Sequence, residues 1–211
     1  MIAVVDYGIG NLRSAQKALQ HLGAYAVLTA DPDAIGAADA VVLPGVGSFG
    51  RCMESLRSAG LEEPTRRAID RAVPFLGICV GMQMLYAGSE ESPGVAGMGV
   101  LDGVVRRLAP GVKRPQMQWN RLMRTEKIVG AVTQRDMFKG ADMLRGMEPD
   151  PWMYFVHSYA PPADGPYVVA TCDYGGPVAA AVVRDRLWAT QFHPEKSGRN
   201  GLGLLANFLA S

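Results

Sequence analysis

The sequence predicts an α/β fold, doubly wound around a mostly parallel central sheet to which antiparallel strands are added. In the first half of the chain, short apolar runs rich in Val and Ile each lead into a Gly-containing loop and then into helix-period sequence. In the second half, strand-like runs follow one another with mainly turns between them. Strands in βα units pack in parallel with both faces covered, whereas strands joined by turns pair antiparallel.

The βα units come first along the chain. Strands are predicted at Ile2 to Val5, Ala40 to Leu43 and Phe75 to Ile78, and a helical stretch is predicted from Met82 to Ala87. Another helix should follow Asn11, which can cap its first turn. Apolar residues recur there at spacings of three and four, at Leu12, Ala15, Ala18, Leu19 and Leu22.

The second half reads as a series of strands closed by one helix. Pro- and Gly-rich stretches near Pro93, Pro110 and Pro161 are interpreted as loops, and because no linker or repeat is found, residues 1–211 are expected to form a single domain. The last helix is predicted from Asn200 to Leu209. The predicted strands are Gly103 to Leu108, Met153 to Val156, Val168 to Asp173, Val178 to Val183 and Leu187 to Gln191.

Composition excludes several classes of function. Lys and Arg number 21 against 20 Asp and Glu, a formal charge of +1, so neither a nucleic-acid nor a membrane-surface partner is expected. The three cysteines, Cys52, Cys79 and Cys172, lack the spacing of a zinc site and favour a reducing compartment. With no basic leader and no long apolar stretch, the expectation is a soluble, cytoplasmic protein that uses neither metal nor cofactor.

The most informative local sequence is Gly77-Ile78-Cys79-Val80-Gly81, between a predicted strand and a helical stretch. A sharp strand-to-helix turn crowds the backbone, and glycines two residues either side of the central residue make room for it. Such a turn lifts the Cys79 thiol out of the sheet and places it at a helix N-terminus, which favours the thiolate. A tight turn with a buried, inert cysteine is the alternative for this pentapeptide.

A candidate base follows a strand much later in the chain. His193 lies in Gln-Phe-His-Pro-Glu, and in extended backbone the carboxylate of Glu195 would lie on the same side and orient the imidazole. The alternative is a surface turn. Because open α/β sheets place their active sites at the carboxyl ends of strands, Cys79, His193 and Glu195 are predicted to form a triad. His21 and His157 are interpreted as a helix-end and a core histidine.

A second Gly-rich loop, Gly45 to Gly50, matches the GxGxxG pattern of dinucleotide-binding proteins. That interpretation is rejected because the acidic residues further on fall in helix-like sequence rather than at a strand end. The loop can instead present backbone N–H groups to an oxyanion. Val46 or Gly47, together with Val80, is expected to supply them, and the alternative is a simple turn into a helix.

These motifs carry a family resemblance. The sequence resembles the class I, triad-type glutamine amidotransferases, and within them the glutaminase subunits that serve histidine biosynthesis, essentially from end to end. The shared segments are PGVGSFG (Pro44 to Gly50), GICVGMQ (Gly77 to Gln83), VVDYGIGNLRS (Val4 to Ser14), SEESPGV (Ser89 to Val95), QWN (Gln118 to Asn120), YFVHSY (Tyr154 to Tyr159) and HPEKS (His193 to Ser197).

The resemblance implies a class I glutamine amidotransferase-like fold and a role for each matching residue. Cys79 would attack the side-chain amide of L-glutamine, His193 would move the protons, and Glu195 would orient His193. Water would then hydrolyse a glutamyl thioester to release glutamate and ammonia. Gln83, Glu91 and the backbone of His157, Ser158 and Tyr159 match the positions that hold the substrate.

The resemblance also implies a heterodimer with a separate (β/α)₈ cyclase subunit. Free ammonia is protonated in neutral water and loses its nucleophilicity, so a synthase must carry it directly to the second reaction. The cyclase would use it to make imidazole glycerol phosphate and an aminoimidazole carboxamide ribonucleotide. Asn11, Trp119, Tyr154 and Lys196 match positions at or near that interface.

Two departures from the family pattern stand out: Gln118 replaces the usual Gly before Trp-Asn, and the segment from Arg121 to Trp152 is longer than in compact relatives.

Two other classes of function stay open. A non-catalytic α/β binding module would tolerate replacement of Cys79, and a general cysteine hydrolase would be fully active without a partner.

Overall fold

The computed structural model describes residues 1–125 and 141–211. Of the long segment after Arg121, residues 126–140 lie outside the described ranges. The helices are α1 (Leu12–His21), α2 (Pro32–Gly36), α3 (Phe49–Ser58), α4 (Glu62–Asp70), α5 (Val80–Gln83) and α6 (Gly198–Leu209). The strands are β1 (Ile2–Val5), β2 (Ala26–Thr29), β3 (Ala40–Gly45), β4 (Phe75–Cys79), β5 (Tyr86–Ser89), β6 (Leu101–Arg107), β7 (Gln116–Arg121), β8 (Met123–Arg124), β9 (Trp152–His157), β10 (Tyr159–Ala160), β11 (Val168–Asp173), β12 (Pro177–Arg184) and β13 (Leu187–Thr190).

A central sheet of eight strands has the order β2-β1-β3-β4-β13-β12-β11-β8. The pairs from β2 across to β13 are parallel, and those from β13 to β8 are antiparallel. This arrangement confirms the predicted fold class. Every residue of β1, β3, β4 and β13 is buried, as expected for parallel strands covered on both faces.

Two small sheets complete the described structure, one of β10, β6 and β5 and one of β7 with β9. The β7–β9 pair is antiparallel, with Trp119 opposite Tyr154 and Arg121 opposite Trp152. One face of this pair is buried, through Met153, Phe155 and other residues, whereas the other face is largely open.

The predicted helix from Met82 to Ala87 is wrong. Helix α5 ends at Gln83, and Tyr86–Ser89 is strand β5. The carbonyls of Leu85 and Tyr86 accept hydrogen bonds from the incoming segment 99–101, so long-range pairing replaces the next helical turn. Gly97 permits this approach, since a Cβ there would lie 2.0 Å from the Tyr86 carbonyl oxygen.

Candidate active site

The turn around Cys79 has the strained geometry that the sequence predicts. Cys79 is the last residue of β4 and the N-cap of α5, and it has a φ of +56°, a conformation that residues other than glycine rarely adopt. Its neighbours must be small, because a Cβ on Gly81 would lie 1.9 Å from the Leu43 carbonyl oxygen, and one on Gly45 would lie 2.6 Å from the Gly81 nitrogen. The surrounding packing therefore holds the Cys79 backbone in this conformation.

The sheet brings His193 to the same place. Strand β13 pairs in parallel with β4, with Thr190 opposite Ile78, so the residues that follow each strand emerge at one edge. His193 and Glu195 have nearly inaccessible side chains, and the His193 Nδ1 lies 2.7 Å from the Glu195 Oε1. The two residues are paired as predicted, but the backbone is not extended beyond His193, because Pro194–Lys196 form a 3₁₀ turn.

The surroundings of His193 favour its charged form. Burial lowers the pKa of His193, but the Cys79 side chain and the Glu195 carboxylate outweigh it and raise the pKa above its ordinary value. The Nε2 of His193 has no hydrogen-bond partner among the described residues. An imidazole held in this way can exchange a proton with the sulfur on one side while the carboxylate stabilises its positive charge on the other.

Asn11 differs from its prediction in one respect. It occupies the N-cap position of α1, but its side chain makes no capping hydrogen bond. Its Nδ2 instead donates to the Glu195 Oε1 over 2.9 Å, the same oxygen that pairs with His193. The predicted cap is therefore wrong, because the charged Glu195 acceptor takes the amide that would otherwise turn back to the helix.

The loop after β3 faces the sulfur across a small cavity. The Cys52 thiol in α3 donates to the Val46 carbonyl over 3.2 Å, and because C=O and N–H of a trans peptide point in opposite directions, the Gly47 N–H is turned away from Cys52. Gly47 has a φ of +84°. The Glu91 Oε2 accepts from the Phe49 N–H over 2.8 Å, which ties a half-buried carboxylate to the start of α3.

A buried hydrogen-bond network of Tyr159, Gln83 and Gln191 reaches the Cys79 sulfur. The Gln83 Nε2 donates to the Tyr159 carbonyl over 2.9 Å and to the Gln191 Oε1 over 3.0 Å. The Gln191 Nε2 lies 3.8 Å from the Cys79 Sγ. The sequence prediction did not include Gln191 as a site residue. One signal pointed to it, since it lies two residues before His193 at a strand end.

His157 also belongs to this network. Its Nδ1 lies 2.9 Å from the Tyr159 carbonyl oxygen, and since that oxygen can only accept, Nδ1 carries the proton. Burial, with a smaller contribution from His193, lowers the pKa of His157 to about 4, despite the hydrogen bond to Tyr159. His157 is therefore a neutral, buried histidine beside a site that favours the charged form of His193.

The cavity has a volume of about 270 Å³, the size of a small-molecule site. A larger groove of about 360 Å³ lies at the amino ends of β4 and β13, beside Arg66, Asp70 and Arg184, and contains no nucleophile. Most of the predicted catalytic, oxyanion and substrate residues meet at the smaller cavity. Its walls are Val46, Gly47, Cys79, Val80, Gln83, Glu91, Pro115, Val156, His157, Ser158 and His193.

The remaining predicted residues surround the cavity rather than line it. Tyr159 contributes its carbonyl to the network, and Glu195 and Asn11 stand behind His193. Lys196 is exposed at the end of the 3₁₀ turn. Trp119 is 47% exposed on the open face of the β7–β9 pair, where its ring meets Tyr154 edge-on at 6.0 Å.

Over residues 1–125 and 141–211, no group of three or more His, Cys, Asp or Glu side chains is arranged to hold a metal ion. Within the same ranges, no helix is long and apolar enough to cross a bilayer.

Comparison with known sequences extends over almost the whole chain. The sequence model of the family "Glutamine amidotransferase class-I" matches residues 3–211. The chain is 48% identical to the imidazole glycerol phosphate synthase subunit HisH of Synechococcus elongatus over 99% of its own length and 92% of the relative. It is 47% identical to the HisH subunit of Methanothermobacter thermautotrophicus over 99% of this chain and 98% of that one.

Solved structures show the same fold at lower sequence identity. A crystal structure of a glutamine amidotransferase matches with a TM-score of 0.73 at 20% identity, covering 100% of this chain and 98% of that one. The structure of PurLQS from Thermotoga maritima matches with a TM-score of 0.72 at 19% identity, covering 99% and 97%. Identities this low support the fold alone, and the family rests on the sequence matches.

Proposed function

The chain belongs to the class I glutamine amidotransferase family, and from that membership we propose that it is the glutaminase subunit of an imidazole glycerol phosphate synthase. The observation that carries the proposal is the buried His193–Glu195 pair, in which the Nδ1 of His193 lies 2.7 Å from the Oε1 of Glu195. The pair stands beside the Cys79 thiol, at the edge of a cavity of amino-acid size. The reaction is inferred from the sequence relatives, which are named as subunits of imidazole glycerol phosphate synthase.

In this proposal the chain hydrolyses L-glutamine through a thioester. The Cys79 thiolate attacks the side-chain amide carbon, and the His193 imidazolium gives its proton to the departing ammonia. Neutral His193 then takes a proton from the water that attacks the thioester carbonyl, and departure of the sulfur releases glutamate and restores the Cys79 thiolate beside the His193 imidazolium. Glu195 stabilises the imidazolium, and the bond from Asn11 holds that carboxylate in place.

The N–H groups of Val80 and of the Val46–Gly47 loop stabilise the oxyanion that forms in each step. The Cys52 contact, which turns the Gly47 N–H away from α3, favours Gly47 over Val46 as the loop donor. Glu91 has one carboxylate oxygen committed to Phe49, and its charge suits the α-amino group of the substrate. Gln83 and the backbone of His157, Ser158 and Tyr159 form the opposite wall.

A partner is the second half of the proposal. We infer a (β/α)₈ cyclase that receives the ammonia without release into water, because protonation would end its reactivity. The open face of the β7–β9 pair is mainly apolar, with Arg121 as its charged residue, and it adjoins the cavity, since Val156 both lines the cavity and belongs to that face. Met117, Trp119 and Trp152 are exposed there, and aromatic residues of this kind are enriched in interfaces. Lys196 and Asn11 extend this surface next to the triad.

The three cysteines are free, which suits a reducing compartment. We propose the cytoplasm.

Release of glutamate by the chain, with and without the cyclase subunit and its ribonucleotide substrate, tests the proposal. The isolated chain should be weakly active, and the occupied cyclase should raise the rate by about tenfold or more, because binding shifts the population of a competent oxyanion loop. Cys79→Ala should abolish release under all conditions.

Two results would contradict the proposal. Full activity on glutamine or peptides without a partner, unaffected by the cyclase, would indicate a general cysteine hydrolase. Unchanged synthase activity with Cys79→Ala would indicate a non-catalytic binding module.

A further inference from the structure

Gln191 is a buried polar residue that touches the nucleophile and has no role in the triad. It follows β13 directly and is fully buried, and its backbone N–H donates to the Ala180 carbonyl over 2.8 Å. Its side chain spans the gap between Gln83 and the Cys79 sulfur. A buried amide in this position is costly unless both its ends are satisfied, so its orientation matters.

The network fixes which end of the Gln191 amide faces the sulfur. The Tyr159 carbonyl can only accept, so the Gln83 NH₂ must face it, and the same nitrogen lies 3.0 Å from Gln191. The Gln191 oxygen must therefore face Gln83. Its NH₂ group is left facing the Cys79 Sγ at 3.8 Å, within the reach of an N–H···S hydrogen bond.

The contact distinguishes the two forms of the nucleophile. The neutral thiol can donate to the Val156 carbonyl, 3.9 Å from the sulfur, and the thiolate cannot. A donor aimed at the sulfur binds the thiolate more strongly, because hydrogen bonds to ionised acceptors are about twice as strong as neutral ones. The Gln191 amide does not titrate, so it provides this stabilisation at every pH.

Among the described residues, few other groups near the sulfur can stabilise the Cys79 thiolate. Burial raises the pKa of Tyr7 and of Cys52, so both are neutral at ordinary pH, and their hydroxyl and thiol groups donate to the carbonyls of Pro44 and Val46. Glu195 acts on the opposite side of the His193 ring. Among the described titratable groups that face Cys79, His193 is the cation, and Gln191 adds a fixed dipole from another direction.

We propose that Gln191 is a further catalytic residue, one that donates an N–H to the Cys79 thiolate and holds the sulfur in its reactive form. The assignment rests on the proposed glutaminase function for its purpose but not for its test. Gln83 acts through Gln191 as a positioning residue, since it sets the direction of the amide.

The test is the rate of alkylation of Cys79 by iodoacetamide as a function of pH, followed by mass spectrometry of the Cys79 peptide. Gln191→Met keeps the length of the side chain and removes the donor. We expect alkylation at pH 7 to slow about tenfold and the midpoint of the pH profile to move to higher pH by about one unit, as for loss of one charge-assisted hydrogen bond.

The chain offers a matched control. The Gln116 Nε2 lies 3.8 Å from the Cys172 Sγ, so Gln116→Met removes the same kind of buried contact from a different cysteine. It should leave the Cys79 profile unchanged. A Gln191→Met protein whose thermal midpoint equals that of the control and whose Cys79 profile is unshifted would overturn the assignment.

If Gln191→Met does not fold, Gln83→Met provides an independent measurement. It leaves Gln191 in place but frees its amide to turn, so a smaller shift in the same direction is expected, and an unchanged profile would overturn the assignment. Alkylation needs neither glutamine nor a partner. A shifted profile in a chain that never releases glutamate would therefore refute the proposed function alone, whereas glutamate release with unshifted variants would refute the role of Gln191 alone.

Discussion

Two buried histidines at the same cavity have opposite electrostatic surroundings. His193 has the Glu195 carboxylate and the Cys79 sulfur beside it, and its pKa is raised. His157 has a backbone carbonyl at Nδ1 and His193 nearby, and burial lowers its pKa to about 4. At the scale of single residues, the fold thus separates one histidine that is suited to carry charge from one that stays neutral.

The shifted pKa values of His157 and His193 predict how the free energy of unfolding depends on pH. A lowered pKa in the folded state gives stability that is present above the unfolded value of 6.5 and is lost as pH falls towards about 4. The free energy of unfolding should therefore drop by on the order of 3 kcal/mol across that range because of His157. His193 has the opposite sign, and its contribution is lost only as pH rises above the unfolded value.

Denaturant unfolding between pH 4 and pH 7 measures the effect. His157→Asn should flatten the acid slope, whereas His21→Asn, at an exposed position on α1, should leave it unchanged. An acid slope that is the same in all three proteins would show that His157 titrates normally in the folded chain.

At the scale of elements, the nucleophile turn depends on how closely three segments approach one another. The ends of β3 and β4 and the start of α5 meet where Gly45 and Gly81 lie, and neither position has room for a Cβ. The strain at Cys79 is therefore maintained by backbone packing around it and not by the cysteine itself.

Gly81→Ala should lower the free energy of unfolding by about 3 kcal/mol or prevent folding, because the added Cβ meets the Leu43 carbonyl and the backbone must shift. Gly203→Ala in α6 is the matched control. A Cβ there meets nothing within 4 Å, so the change should raise stability by about 0.5–1 kcal/mol. Guanidinium denaturation compares the two, and equal effects would contradict the account of the turn.

At the scale of the whole molecule, the open face of the β7–β9 pair stands beside the cavity and exposes apolar rings. Trp119 packs against Tyr154, and the Arg121 guanidinium lies 5.6 Å from the centre of the Trp152 ring. Packing of this kind orders the side chains before any partner binds, which lowers the entropic cost of association.

Trp119→Ala and Trp152→Ala should each cost on the order of 2 kcal/mol in binding to the proposed cyclase subunit, as for aromatic hot spots, with little change in stability. Tyr25→Ala is the control, because Tyr25 is 73% exposed just before β2, at the opposite end of the sheet. Isothermal titration calorimetry measures the affinities. Tryptophan variants that bind as tightly as the Tyr25 variant would place the interface elsewhere.

Much of the fold could be predicted from the sequence. Strands β1 and β11 begin and end where the apolar runs do, and buried β3 and β4 read as continuous apolar sequence. Strands β2, β5, β7, β8 and β10 were not predicted. The residues of β5 have hydrogen-bond partners in β6 and in the segment before it, so local periodicity could not identify them.

The sequence by itself determined the fold class, the nucleophile turn and the His193–Glu195 pair, because each depends on spacings of a few residues along the backbone. Only the tertiary structure decided that Asn11 binds Glu195 instead of capping α1 and that Gln191 joins Gln83 to the Cys79 sulfur. These bonds connect residues 184, 108 and 112 positions apart, and two side chains at such separations meet only after the sheet has set the strand order. The physical reason is that a buried polar group forms hydrogen bonds with whatever donor or acceptor packing brings within reach. In this site those partners lie on elements that are distant in sequence and not on neighbouring residues of the same strand.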